Sequence, residues 1–296
     1  MKPIRVFSLL DLDNPVQPAP LSDYILQFLA QGDSWFSFGA LPMWQTSNLF
    51  DGMGTSQIAA CAVNCAAPGA RLSVMANSTT ATPFLQLLSG NRARRWAGLL
   101  LSGGGNDLIA AVQQAPENRP EMRLLATAPE WIDAPGGERY LSNAGWLTFS
   151  THIIAVMANL LAVRDSGINR GLPIVMHTYD IAVPRDSGAG FGFGPWLYPA
   201  MQAYAIPPAA WPAVAAALLD RLWTLLDHIA ANTVDGSIHV VHSQGTLTPA
   251  QTSDTGASAD WQNEIHPTRA GYQKLSALWL PLLDAVFASR IQGAPG

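Results

Sequence analysis

The chain has 296 residues, of which 49% are hydrophobic and 12% are charged, and its formal net charge is −5. Such a composition supports a large buried core and excludes a disordered or low-complexity protein. The charges form no basic stripe, so we expect no nucleic-acid partner and a small neutral or lipid-like substrate.

Short apolar runs alternate along the chain with amphipathic segments of helical length. In chain order, the predicted strands are YILQFLA (24–30), AACAVNC (59–65), AGLLLS (97–102), LPIVMHT (172–178) and SIHVVH (237–242). Strands that alternate with helices are typical of α/β proteins with a parallel sheet. We therefore predict a single domain over 1–296, a three-layer αβα sandwich around a parallel sheet of about five strands.

Two helices are predicted in the second half of the chain. The first spans 213–231 and places one apolar stripe on the core: Val214, Leu218, Leu222, Leu225 and Ile229. The second is GYQKLSALWLPLLDAVF (271–287), with a possible bend at Pro281.

The segment 187–219 carries no charge, but five prolines interrupt it. Because prolines break a membrane-spanning helix, we expect no transmembrane segment there. We interpret 183–211 as an excursion from the domain that is rich in proline, glycine and aromatic residues.

The cysteines and the first residues bear on localisation. Cys61 and Cys65 lie in one predicted strand, where their Cα atoms would be roughly 13 Å apart, too far for a disulfide. Free thiols indicate no oxidising compartment. The start MKPIRVFSLLDLDNP reaches acids and a proline before any long apolar core, so it is a poor signal peptide. We expect a cytoplasmic protein, although a secreted chain whose leader had been removed would look the same.

Unusual polar motifs follow the first three predicted strands. GDSW follows the first, APG the second and GGGND the third. Ligands bind outside the carboxyl ends of the strands in open parallel sheets, so these motifs should meet at one edge. His177, Asp180 and His242 also follow strands, but their spacing matches no recognised metal site.

Two serines compete for the role of nucleophile. Ser243 in HVVHSQGTL looks like the nucleophile elbow of an α/β-hydrolase lipase, but Val241 replaces the first glycine and no helix-like sequence follows. Ser34 in QGDSWFSFG comes at the end of the first strand, where Gly32 permits a tight turn. We favour Ser34, with a lipase that uses Ser243 as the alternative.

Four short blocks resemble the SGNH hydrolases, also called GDSL esterases and lipases, whose fold is flavodoxin-like. The blocks are GDSW, NCAAPGARL, GGGND and NEIHPT, in that order. The resemblance implies that Ser34 is the nucleophile and His266 the general base. It also implies that Ser34, Gly69 and Asn106 donate hydrogen bonds to an oxyanion. The expected activity is hydrolysis of carboxylic esters through an acyl-serine intermediate, with no metal or organic cofactor.

One position departs from the family pattern. An aspartate usually lies three residues before the histidine, and here that residue is Asn263. The third member of the triad could therefore be Asn263, Asp260 or Glu264. A non-catalytic binding domain on the same fold is a further alternative.

Aromatic residues near the motifs are candidate substrate contacts. We predict this role for Trp35, Phe191 and Trp196, the last two in GAGFGFGPWLYPAMQAYAIPPAAW. That stretch is either a wall over the cleft or a cap that only packs on the sheet. FSFGALPMW (36–44) is a candidate for the opposite wall. Chain length of the acyl group and oligomeric state are left open by the sequence.

Overall fold

The structure, a computed structural model, describes residues 1–38 and 46–289. Within them the chain forms eight strands: β1 (Lys2–Pro3), β2 (Arg5–Ser8), β3 (Leu26–Gly32), β4 (Gly54–Thr55), β5 (Ala60–Asn64), β6 (Gly98–Ser102), β7 (Ile174–His177) and β8 (Ile238–Val241). Six of these make one parallel sheet in the order β2-β5-β3-β6-β7-β8. Strands β1 and β4 pair separately as a short antiparallel ribbon.

The predicted fold class is confirmed. The five predicted strands correspond to β3, β5, β6, β7 and β8. The near-continuous burial of the four inner strands β3, β5, β6 and β7 is typical of a sheet covered on both faces, whereas the edge strand β8 is half-buried at its two middle residues. The sixth strand, β2, was not predicted from the sequence. It is an edge strand whose only buried side chain is Phe7, so its sequence lacks a continuous apolar run.

Helices flank the sheet. Those of the described residues are α1 (Leu9–Leu12), α2 (Leu72–Met75), α3 (Pro83–Leu88), α4 (Gly105–Val112), α5 (Asn143–Asp165), α6 (Tyr198–Ala203), α7 (Trp211–Asn232), α8 (Arg269–Ala277) and α9 (Trp279–Val286). The five stripe residues predicted for 213–231 are all buried in α7.

The predicted terminal helix is two helices rather than one bent helix. A proline ring collides with the carbonyl four residues earlier and supplies no N–H, which for Pro281 means the carbonyl of Ala277. Helix α8 therefore ends at Ala277, and α9 begins at Trp279. Just beyond α9, Phe287 packs edge-on against Phe28 of the central strand β3, with ring centroids 5.1 Å apart.

Two helices are long and apolar enough to cross a membrane, by length and composition alone. They are Asn143–Asp165 and Pro208–Asn232, and the apolar windows within them are 22% and 50% buried in the fold. The prolines on which we based the expectation of no transmembrane segment lie in 187–219, so that expectation did not cover helix α5. Helix α5 contacts α2, α3 and α7 in this fold.

The sheet order places three loops around one crevice. From β3 the chain crosses to β5 on one side and then to β6 on the other, so β3 lies at the topological switch point. Strands β3 and β6 approach closely there: a Cβ on Gly32 would lie 2.7 Å from the Cβ of Ser102. The loops after β3, β5 and β6 carry GDSW, APG and GGGND, as predicted.

Candidate active site

Ser34 lies in a turn directly after β3, and the neighbouring Asp33 holds that turn. The Asp33 carboxylate accepts hydrogen bonds from the Trp35 N–H (2.9 Å), the Ser102 hydroxyl (2.8 Å) and the Tyr179 hydroxyl (2.5 Å). Burial raises the pKa of Asp33 to about 6, although these hydrogen bonds oppose the shift. The turn is thus tied to β6 and to the segment after β7.

A buried histidine extends this network. The Nδ1 atom of His177 accepts the Tyr179 N–H (3.2 Å), so its proton is on Nε2, which donates to the Ser102 hydroxyl (2.9 Å). Ser102 then donates to Asp33. Burial lowers the pKa of His177 to about 3, so the ring is neutral. His177 therefore supports the turn from within the core, and it is not a metal ligand or a base at the edge of the sheet.

His266 contacts Ser34 directly. Its Nε2 atom lies 2.7 Å from the Ser34 Oγ, and its Nδ1 atom lies 2.9 Å from the Asn263 Oδ1. The amide oxygen of Asn263 can only accept, so it places the imidazole proton on Nδ1 and leaves Nε2 free to accept the serine proton. Burial lowers the pKa of the His266 imidazole to about 3, so it is neutral and able to act as a base at pH 7.

The Asn263 side chain also shapes the loop that carries the histidine. Its Oδ1 atom accepts the backbone N–H groups of His266 (3.0 Å) and Ile265 (3.2 Å). The same loop is fixed to the nucleophile turn, because the Trp35 indole N–H donates to the carbonyl oxygen of Ile265 (3.2 Å). Asn263 thus orients both the ring and the backbone of His266.

The two candidate carboxylates are directed elsewhere. Asp260 accepts the Lys274 ammonium (2.6 Å) and the Thr248 N–H (2.7 Å). Glu264, which is 1% exposed, accepts four backbone N–H groups of the excursion: Arg185, Trp196, Leu197 and Tyr198. Within the described residues neither carboxylate contacts His266. The structure therefore brings Asn263 to the imidazole and does not bring Asp260 or Glu264.

Three hydrogen-bond donors surround the space in front of Ser34. The N–H groups of Ser34 and Gly69 have no partner within 1–38 and 46–289, and Gly69 adopts φ +71°, which favours glycine. Asn106, the second residue of α4, donates one Nδ2 hydrogen to the Ala70 carbonyl (3.2 Å), which orients its amide and leaves the other hydrogen available. The positive end of the α4 dipole lies at the same place.

These groups line one cleft of about 250 Å³. Besides Ser34, Gly69, Asn106 and His266, the lining includes Phe38, Pro68, Ala189, Phe193, Trp196 and Ile265. The Trp196 ring stands edge-on to His266, with centroids 5.1 Å apart. The excursion thus supplies one wall of the cleft.

Of the three predicted aromatic contacts, all within the described residues, only Trp196 lines the cleft. Phe191 is 86% exposed and is not part of the cleft lining within the described chain, whereas Phe193 is. Trp35 is 4% exposed and stacks on His177, so it faces the core and a second cavity. Of the predicted opposite wall, Phe38 lines the cleft, and residues 39–45 lie outside the described residues.

Ser243 lacks the surroundings of a nucleophile. It is 2% exposed, its hydroxyl donates to the Tyr179 carbonyl (2.8 Å), and its N–H donates to the Thr178 hydroxyl (3.0 Å). No imidazole among the described residues contacts it. The alternative of a nucleophile elbow at Ser243 is therefore wrong: this serine closes a turn after β8.

The remaining polar residues of the predicted strand ends have structural partners. Asp180 accepts the N–H groups of Gly245 and Leu247 (both 2.7 Å), and His242 pairs with Asp227 at the surface (2.9 Å). In the part of the chain that the structure describes, no group of three His, Cys, Asp or Glu side chains could hold a metal ion.

Ser34, Gly69 and Asn106 thus follow the adjacent strands β3, β5 and β6, and His266 reaches them from the loop before α8. The arrangement is the one that the resemblance of the four blocks to the SGNH hydrolases implies. No protein-family model and no curated protein matches the chain.

Solved structures to which the chain is similar include three hydrolases. An extracellular lipase from Streptomyces rimosus is 16% identical, with a TM-score of 0.47, over 88% of this chain and 99% of that one. Phospholipase A1 from Streptomyces albidoflavus is 15% identical, with a TM-score of 0.42, over 88% and 98%. Est24, a carbohydrate acetylesterase from Sinorhizobium meliloti, is 10% identical, with a TM-score of 0.44, over 88% and 100%.

Proposed function

We propose that the protein is a serine esterase that hydrolyses carboxylic esters through an acyl-serine intermediate. The observation that carries the proposal is the 2.7 Å contact between Ser34 Oγ and His266 Nε2. A serine hydroxyl is a weak nucleophile until a base can take its proton, and this distance is within the range for such a transfer.

The reaction follows from the positions of these groups. His266 Nε2 takes the Ser34 proton while Oγ attacks the ester carbon, and the resulting oxyanion accepts hydrogen bonds from Ser34, Gly69 and Asn106. The imidazolium then gives its proton to the leaving alcohol. Water attacks the acyl-serine by the same route in reverse and releases the acid. No step of this scheme requires a metal ion or an organic cofactor.

Labelling the nucleophile tests the proposal. We expect a p-nitrophenyl alkylphosphonate to modify Ser34, as located by mass spectrometry of peptides, and Ser34→Ala to abolish hydrolysis of p-nitrophenyl acetate, because the exchange removes only the attacking oxygen. Ser243→Ala is the matched control and should still be labelled and active.

Other outcomes would count against the esterase. Label on Ser243, or activity of Ser34→Ala within about ten-fold of the unsubstituted chain, would overturn the nucleophile assignment, since loss of a triad member normally costs far more. If none of the short p-nitrophenyl esters is hydrolysed, the alternative of a non-catalytic binding domain would be favoured.

A further inference from the structure

A second cavity adjoins the cleft at Ser34. Its volume is about 50 Å³, and it shares Ser34, Asn106 and Ile265 with the cleft. The rest of its wall is mostly apolar and includes Leu108, Ala182, Leu197, Ala215, Leu218 and Leu219. His266 and Gly69 line the cleft and do not line this cavity within the described chain.

Ser34 and Asn106 also line the cleft, and the acidic residues of the cavity wall are already partnered. Asp33 accepts hydrogen bonds from Tyr179, Ser102 and Trp35, and Asp180 accepts backbone N–H groups of the turn after β8. A ligand in the cavity therefore meets an apolar surface. A charged or strongly polar group would lose its water there without gaining a partner.

The stereochemistry of ester hydrolysis assigns the two spaces. The tetrahedral carbon carries the Ser34 oxygen, the oxyanion, the leaving oxygen and the acyl chain. The leaving oxygen must reach His266 Nε2 to receive its proton, so the alcohol lies in the cleft that His266 lines. The acyl chain takes the remaining direction, and the second cavity, which shares Ser34 and Asn106 with the cleft, is the space that His266 does not line within the described chain.

We infer that this cavity binds the acyl chain, and that the substrates are esters of short, unbranched, uncharged carboxylic acids. The inference rests on the proposed function. The cavity is small, with a volume of about 50 Å³, so it admits a short acyl chain and excludes a long one. We expect the chains that fit it to run from butyryl to hexanoyl.

A pair of substitutions on α7 tests the assignment. Ala215→Val adds two methyl groups inside the cavity, whereas Ala217→Val adds them to a buried position (8% exposed) that does not line it within the described chain. Both place the same β-branched residue in the same helix, so the intrinsic cost to the helix is matched. The measurement is kcat/KM for p-nitrophenyl acetate, butyrate, hexanoate and octanoate.

We expect the unsubstituted protein to prefer butyrate or hexanoate to both acetate and octanoate. One methylene in a closely fitting apolar pocket changes specificity by about ten-fold. Ala215→Val should therefore lower the hexanoate-to-acetate ratio of kcat/KM by about ten-fold or more, and Ala217→Val should leave it within about two-fold. Leu218→Ala should raise the octanoate-to-acetate ratio, with Leu226→Ala as its buried control.

The outcomes separate the two proposals. Hydrolysis with equal chain-length profiles for Ala215→Val and Ala217→Val would overturn the acyl assignment and leave the esterase standing. Absence of hydrolysis for every ester, with the protein folded, would overturn both. If either valine variant fails to fold, the unsubstituted chain provides a second test. The rate at which phosphonates of two, four, six and eight carbons label Ser34 should show the same dependence on chain length. A labelling rate that does not depend on chain length would count against the acyl assignment.

Discussion

At the scale of single residues, the neutral partner of His266 is the most consequential feature. A carboxylate in that position both selects the imidazole tautomer and offsets the positive charge that develops during attack. Asn263 selects the tautomer through its Oδ1 contact with Nδ1 but offers no charge. We therefore expect the base to be correctly oriented and its protonated form to be poorly stabilised.

Restoring the charge should improve the enzyme. We expect Asn263→Asp to raise kcat about ten-fold or more, and to move the acid limb of the pH profile upward, because a carboxylate raises the pKa of the neighbouring imidazole. In the unsubstituted protein burial lowers the pKa of His266 to about 3, so activity should persist at pH 5. Profiles of kcat/KM from pH 4 to 8 measure both effects.

Asp260→Ala is the companion variant. Asp260 contacts Lys274 and Thr248, so its loss should lower stability and change kcat by less than about ten-fold. A nearly inactive Asp260→Ala together with an Asn263→Asp that gains nothing would return the role of the acid to Asp260.

In the proposed mechanism, the side-chain amide of Asn106 acts mainly in the transition state. We expect Asn106→Ala to lower kcat by about a hundred- to a thousand-fold with little change in KM, the usual effect of removing one oxyanion donor. Thermal unfolding provides the check on folding, since Asn106 also contacts the Ala70 carbonyl. An unchanged kcat would mean that Asn106 has only a structural role, in the hydrogen bond between α4 and the loop after β5.

Much of the site could be predicted from the sequence, because its motifs directly follow apolar strands. The network behind Ser34 could not: Ser102 and His177 lie 75 positions apart, and only the sheet order makes them neighbours. The sequence also did not show that Phe193, rather than Phe191, lines the cleft. The backbone between them is left-handed, with φ of +51° at Phe191 and +82° at Gly192, and these angles set the directions of the two side chains. Composition carries no such directional information.

At the scale of elements, the excursion is joined to the loop that carries His266 by one buried carboxylate. Glu264 follows Asn263 in the chain, and four backbone N–H groups of the excursion converge on it. The wall that Trp196 and Phe193 form over the cleft is therefore held from the His266 loop itself. This link explains why a carboxylate lies so near the histidine without contacting it.

Replacing one of the two Glu264 carboxylate oxygens by an NH₂ group should weaken the attachment of the excursion to the His266 loop. Glu264→Gln keeps the shape but presents an NH₂ group to two of the four N–H donors, and each unsatisfied buried donor costs about 1–3 kcal/mol. We expect a lower free energy of unfolding in urea and a raised KM for p-nitrophenyl esters. The exposed Glu121→Gln is the control and should change stability by less than about 0.5 kcal/mol.

The balance of these two effects distinguishes the two interpretations of the excursion. A raised KM with kcat retained supports a wall that contacts substrate. A loss of stability with the kinetic constants intact would show that the excursion only packs on the sheet.

At the scale of the whole molecule, the fold was predictable because burial on both faces gives the central strands their continuous apolar runs. The edge strand β2 was not predictable in this way, because only Phe7 of its four residues is buried and its sequence has no continuous apolar run. The order β2-β5-β3-β6-β7-β8 could not be derived from the sequence either, because pairing between distant strands leaves no local pattern. The sheet order, in turn, creates the buried polar groups that control the response of the fold to pH.

Three of those buried groups give the last prediction. Burial lowers the pKa of His177 and of His266 to about 3, below their ordinary value of 6.5, so unfolding takes up two protons at a pH below 6.5. Burial raises the pKa of Asp33 to about 6, above its ordinary value of 3.8, so between these values unfolding releases one proton. From these three groups the net uptake is about one proton from pH 6 to 4. Stability should therefore fall with falling pH by about 1.4 kcal/mol per unit.

Urea unfolding at pH 7.5, 6.5, 5.5 and 5.0 tests this dependence in a window where exposed carboxylates are still ionised. His177→Phe removes one of the two histidines and keeps a ring against Trp35, so it should be less stable at pH 7.5. Its unfolding takes up one proton fewer, so its stability should be nearly independent of pH between 6 and 5, where the remaining histidine and Asp33 offset each other. An unsubstituted protein whose stability is flat between pH 6.5 and 5 would mean that at least one of these imidazoles takes up its proton within the fold, and if that imidazole is His266, hydrolysis should be lost at pH 5 as well.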